Sequence, residues 1–147
     1  MLRPLLSGNS VVFIETTEKY ETLEALAKVA EERGLAKTGG EFGKALIDRE
    51  RIMSTGIALG LAVPHAKLKS IPDFFVLAAV CKYPILWDSI DRQPVQLIFT
   101  IGAPADRQED YLKLLSKITL VVKNPGRRDT LLRAQTAEQV VAVFDDV

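Results

Sequence analysis

The chain has 147 residues, room for one domain with a sizeable core and little more. Its 19 Lys and Arg balance 19 Asp and Glu, so the charge gives no argument for nucleic acid, which asks for a basic surface. A single cysteine, Cys81, excludes a disulfide framework, and no stretch approaches the roughly 20 apolar residues that cross a bilayer. The first eight residues also lack the long apolar core of a signal peptide. The cytoplasm is the expected location, with no direct membrane insertion.

In chain order, Val11–Ile14 is a short β-branched run and predicts a strand. Thr16 and Thr17 offer a helix cap, and Leu23, Leu26, Ala27 and Ala30 recur at helical spacing up to a stop at Gly34. A second helix is expected from about Gly40 to Ile52, with Phe42, Ala45 and Leu46 inside. The next position on that stripe is Arg49, a permanent cation where an apolar residue is expected. Ile57–Val63 reads as a glycine-interrupted strand ended by Pro64-His65, and Phe74–Cys81 as a strand covered on both faces. Asp91–Pro94 marks a turn. Val95–Ile101 is a further buried strand, closed by Gly102-Ala103-Pro104.

Asp106 with Glu109 has capping-box spacing and predicts a helix to about Lys123, with Leu112, Leu115, Ile118, Leu120 and Val122 as its apolar surface. Asn124-Pro125-Gly126 breaks it. Thr136 with Gln139 repeats the capping pattern before a last helix with Val140, Val141 and Phe144 inside. This order predicts an α/β fold: a single three-layer α/β/α domain over residues 1–147, its mixed central sheet flanked by helices.

His65 is the only histidine. At the end of a buried strand it would be presented to a crevice. A neutral imidazole is a good nucleophile near pH 7 and its nitrogen can carry a phosphoryl group, with about two negative charges and three acceptor oxygens. Such a group needs donors. Arg49, Ser54 and Thr55 lie 10 to 16 residues upstream, and backbone N–H groups around Gly56 and Gly60 could add more. Taken alone, one histidine at a strand end is more often a satisfied surface or core residue, and a lone arginine such as Arg49 is usually a salt-bridged or snorkelling one. With one His and one Cys, a tetrahedral zinc site would need carboxylates for its remaining ligands. A Gly-x-Ser-x-Gly elbow and Gly-rich nucleotide loops are absent from the sequence, so a phosphoryl donor would be a protein or metabolite rather than ATP.

Asp48-Arg49-Glu50-Arg51-Ile52-Met53-Ser54-Thr55-Gly56-Ile57, followed by Ala62-Val63-Pro64-His65-Ala66-Lys67-Leu68, resembles the signature of phosphotransferase-system IIA domains of the fructose, mannitol and nitrogen-regulatory type. The resemblance continues through Pro94–Phe99, through Ala103-Pro104-Ala105-Asp106, and into the tail from Ala134 to Val140, so it covers nearly the whole chain. It implies that His65 takes a phosphoryl group from the phosphocarrier protein of the system, itself charged from phosphoenolpyruvate. Arg49 would clamp the phosphate and Thr55 would help to hold its equatorial oxygens, with Ser54, Gly56 and Tyr111 lining the site. No metal or organic cofactor is required. Further partners would be a IIB domain or a regulatory target. Lacking an attached sugar-transporting domain, the chain looks most like the nitrogen-regulatory branch, whose members signal through phosphorylation state.

The pattern departs from the family twice. Where a second histidine is common, near the start of the helix after Asp106, stands Tyr111. Where Gly-Ile-Gly-Asn-Gly is common stands Gly56-Ile57-Ala58-Leu59-Gly60, one glycine and one amide donor fewer. Tyr111 offers only a neutral O–H, so weaker charge compensation is expected. A second reading follows: a regulatory binding module with a degenerate site that docks a kinase, transporter or regulator without relaying phosphate.

Overall fold

A computed structural model describes residues 2–147. Two short 3-10 turns, Arg3–Leu5 and Gly8–Ser10, lead into β1 (Val11–Ile14), α1 (Lys19–Glu32) and α2 (Glu41–Ile52). Then follow β2 (Leu61–Ala62), β3 (His65–Leu68), β4 (Phe75–Ile85) and β5 (Val95–Pro104). Three helices close the chain: α3 (Gln108–Lys123), α4 (Pro125–Arg133) and α5 (Ala137–Ala142).

The sheet runs β1-β4-β5-β2, with β3 also paired to β5. Only β4 and β5 are antiparallel, so the sheet is mixed as expected. The continuous hydrophobicity of β4 and β5 has its cause in the layers. Val76, Ala78, Val80, Leu97, Phe99 and Ile101 turn to one face and meet α3, α4 and α5. Leu77, Ala79, Cys81 and Ile98 turn to the other and meet Leu23 and Leu26 of α1. Alternate side chains point to opposite faces, and both faces are covered. Cys81 is buried there, and burial pushes its thiol up to about 12, which leaves it an inert thiol.

Several local expectations need correction. The cap of α1 is Glu18, whose carboxylate accepts from the N–H groups of Tyr20 and Glu21 at 2.8 and 3.0 Å, while Thr16 bonds to Thr22. The expected strand Ile57–Val63 shrinks to Leu61–Ala62. Ile57–Gly60 form a tight turn with positive φ at Leu59 and Gly60, and the N–H of Ile57 donates to Leu61 at 2.9 Å. His65 follows β2 after Val63 and Pro64, and it also opens a further, unexpected strand, β3. Gly102-Ala103-Pro104 are themselves part of β5, since β3 pairs with all three, and the strand ends at Pro104.

Asp106 does not cap α3; Arg107 holds that position without a side-chain bond. The inner face of α3 is Tyr111, Leu114, Ile118, Val121 and Val122, whereas Leu112 and Leu120 are exposed. The 3.6-residue period carries those two leucines to the outer side. Asn124-Pro125-Gly126 ends α3 and also starts α4, since Asn124 accepts from Arg127 N–H at 3.0 Å and Pro125 takes the first helical position. Thr136 caps α5 as expected, but Gln139 accepts from Gln135 rather than closing the box on Thr136. Val140 and Phe144 are buried, with Phe144 just beyond the helix, and Val141 is only half-buried.

Candidate functional site

The site forms where β3 passes between the last turn of α2 and the first turn of α3. Ala66 faces Phe42 of α2, so His65 and Lys67, one residue to either side, point to the opposite face. There the Tyr111 ring lies against the imidazole, with 4.8 Å between centroids and a 40° tilt. Lys67 Nζ sits over the same ring, 4.4 Å from its centroid, and donates to Gln108 Oε1.

His65 Nδ1 is 3.1 Å from the Val63 carbonyl oxygen. A carbonyl oxygen only accepts, so Nδ1 carries the proton and the lone pair is left on Nε2. Burial pushes the imidazole below its ordinary value. The Val63 hydrogen bond opposes that shift, while the cations Arg49 and Lys67 reinforce it. The ring is therefore neutral at pH 7. Arg49 also lowers Lys67, second to burial, and opposes the rise of Tyr111, which burial pushes up to about 12. One guanidinium thus acts on all three side chains. Arg49 is half-buried, donates to the Met53 carbonyl at 2.8 Å, and has no carboxylate within 4 Å among the described residues.

Ser54, Thr55 and Gly56 take a different place. Thr55 is buried; its hydroxyl donates to Glu50 and accepts from the Trp87 indole at 3.3 Å. Ser54 donates to the Trp87 carbonyl at 2.8 Å and accepts from Gly56 N–H at 3.1 Å. These donors are engaged behind the site, so the expectation that they hold phosphate oxygens has no free group to rest on. Gly56 is required for close packing instead: a Cβ there would run into Ser89 and Trp87.

Sequence reasoning missed Lys67, Glu50 and Lys19. Lys67 was legible in principle, because a strand starting at His65 puts residue 67 on the same face. Placing His65 at a strand end hid it. Lys67 places a cation over the Tyr111 ring, beside the imidazole. Lys19 and Glu50 lie 31 positions apart and gave no local signal. Among the described residues no three His, Cys, Asp or Glu side chains gather closely enough to hold a metal ion, and no helix is long and apolar enough to cross a membrane.

The family model for the EIIA 2 component of the phosphoenolpyruvate-dependent sugar phosphotransferase system matches residues 5–147. The nitrogen regulatory protein of Escherichia coli strain K12 is 32% identical over 140 residues, 90% of this chain and 82% of that protein. A fructose-specific EIIABC component of Bacillus subtilis is 27% identical over 90% of this chain, which spans only 21% of that longer protein. The crystal structure of the nitrogen regulatory protein IIA-Ntr from Neisseria meningitidis superposes with a TM-score of 0.85 at 25% identity, covering 96% of this chain and 97% of the other.

Proposed function

Because this chain belongs to the EIIA 2 family of the phosphoenolpyruvate-dependent sugar phosphotransferase system, we propose that it accepts a phosphoryl group on His65 Nε2 from a phosphohistidine of the system's phosphocarrier protein. The observation that carries this reading is the hydrogen bond from Nδ1–H to the Val63 carbonyl, which leaves Nε2 as the nucleophile. In the transfer, the Nε2 lone pair forms the new N–P bond as the donor's N–P bond breaks. The donor imidazole leaves with that electron pair, and the proton of His65 stays on Nδ1, still donated to the Val63 carbonyl. Phosphoryl transfer asks the protein mainly for positioning and charge. Arg49 and Lys67 would supply the charge, and Tyr111 a neutral O–H and a ring wall.

Residues 1–147 would act as one IIA-type domain. Likeness to two nitrogen regulatory proteins favours a regulatory role, in which phosphorylation state alters docking to a target. A IIB domain is the other candidate recipient, since a relative's name joins A, B and C components. The test is incubation with phosphoenolpyruvate, the first enzyme and the carrier, read by intact mass. One acid-labile phosphate is expected, absent from His65→Ala. A label that persists in His65→Ala removes the assignment. No label on the unaltered chain favours the non-relaying binding module.

A further inference from the structure

Behind His65 lies a buried polar cluster that chemistry at Nε2 does not touch directly. Lys19, at the start of α1, is nine-tenths buried, and its Nζ donates to Glu50 Oε2 at 3.3 Å and to the Trp87 carbonyl at 3.2 Å. The Glu50 side chain is fully buried. Its carboxylate accepts from both the N–H of Thr55, at 2.9 Å, and the Thr55 hydroxyl. The Thr55 carbonyl accepts from Val63 N–H at 2.9 Å, and the Val63 carbonyl accepts from His65 Nδ1–H at 3.1 Å. An unbroken line of hydrogen bonds therefore joins Lys19 to the imidazole through Glu50, Thr55 and Val63.

Removing two charges from water offsets most of what their attraction returns, so a buried ion pair contributes little net stability. What this pair does accomplish is local. The segment from Thr55 to Val63 is mostly turn, held across itself by the bridge between Gly56 and Ala62 and the bond from Ile57 to Leu61. Glu50 grips its first residue at two atoms, and that residue grips Val63, whose carbonyl aims the ring. Any slackness at Thr55 is passed to the acceptor that selects the tautomer.

We infer that Lys19 and Glu50 are positioning residues: the buried pair, acting through Thr55 and Val63, holds His65 in the Nδ1–H tautomer at the angle that presents Nε2. This rests on the reading of His65 as the phosphoryl acceptor, but the tautomer can be measured without any phosphate. His65 is the sole histidine, so long-range 15N–1H spectra of the imidazole are unambiguous.

The test compares the full chain with Glu50→Gln and Lys19→Met, each checked for cooperative unfolding. The unaltered chain should show a dominant Nδ1–H tautomer. Both variants should show a mixture, and transfer from the phosphorylated carrier should slow about tenfold or more in kcat with KM for the carrier little changed. Should either variant fail to fold, Thr55→Val and Thr55→Ser replace it: the valine should shift the tautomer and the serine should restore it. An unchanged tautomer in folded variants overturns the inference, as does a rate that falls only in step with stability. If the unaltered chain takes no phosphate, the functional reading fails, and the tautomer shift alone decides the role of the pair.

Discussion

The two sides of His65 are built on opposite terms. Behind the ring, Glu50, Thr55, Ser54, Trp87 and Lys19 bond to one another. In front, the half-buried Arg49 and Lys67 have no carboxylate within 4 Å among the described residues. A satisfied polar cluster specifies a geometry. Lys67 is lowered first by burial and second by Arg49, and the part due to repulsion between the two cations is relieved when an anion arrives. The back is built for shape and the front for a charge that comes and goes.

The sharpest way to break this contrast is on the stability side. Glu50→Ala leaves the buried Lys19 with only the exposed Asp88 carboxylate, 3.8 Å away, and should cost about 3–5 kcal/mol in urea unfolding. A loss below 1 kcal/mol would mean that the back is not the rigid side. Arg49→Ala should do the reverse. Phosphoryl transfer should fall about a hundredfold, as when one preorganised donor to a developing anion is removed, while stability changes by less than about 1 kcal/mol. A larger loss of stability than of rate would place Arg49 with the back.

Lys67→Met should cost about tenfold in transfer, since a charge-assisted bond is about twice as strong as a neutral one. Tyr111→His would add a third cation beside Arg49 and Lys67, so it should gain less than Lys67→Met loses. A larger gain would mean that Lys67 does not reach the phosphoryl group.

Acidity sharpens the comparison further. An ordinary imidazole, with a pKa of about 6.5, is only about one-quarter neutral at pH 6, and its transfer rate would drop about fourfold from pH 8. The His65 value is lowered, chiefly by burial, so the fall over that range should be smaller than fourfold. The sign for folding agrees. The unfolded chain takes up its proton first as pH falls through 6.5, so stability drops from that pH down to the folded value and the loss then stays constant. A fourfold drop in rate by pH 6, carrier held constant, would show that burial does not govern the ring.

The smallest effect belongs to Leu59, which adopts φ of 59° at a position where the family often has asparagine. Asparagine tolerates that region better than a γ-branched residue, so Leu59→Asn should raise stability by about 0.5–1 kcal/mol. A lower denaturation midpoint would show that the half-exposed Leu59 side chain packs more usefully than its backbone is strained.

Much of this was legible in the sequence for identifiable reasons. The apolar runs of β4 and β5 are long because both faces are covered, and that continuity already separated them from one-sided strands. Arg49 was legible as the cation on an apolar stripe. Tyr111 was legible only through the family pattern, and the structure adds that it faces His65 while being buried. The segment Ile57–Val63 misled because its apolar content reflects packing around a turn rather than pairing. That error moved His65 from the start of one strand to the end of another and concealed Lys67. Ser54 and Thr55 look like phosphate donors in any linear reading, since a hydroxyl does not announce which neighbour it will bond. Their engagement depends on Trp87, 33 and 32 positions away.

Trp87 also gives the molecule an optical gauge of its own. It is the only tryptophan, it is fully buried, and its indole N–H ends on Thr55, one bond from Glu50. A dry indole fluoresces at shorter wavelength than a hydrated one. Water that entered the back of the site would therefore move the emission to the red, whereas a change confined to Arg49 or Lys67 would leave the colour alone. Stopped-flow emission during phosphorylation would then time whether the scaffold stays closed while charge arrives on the other side of the ring.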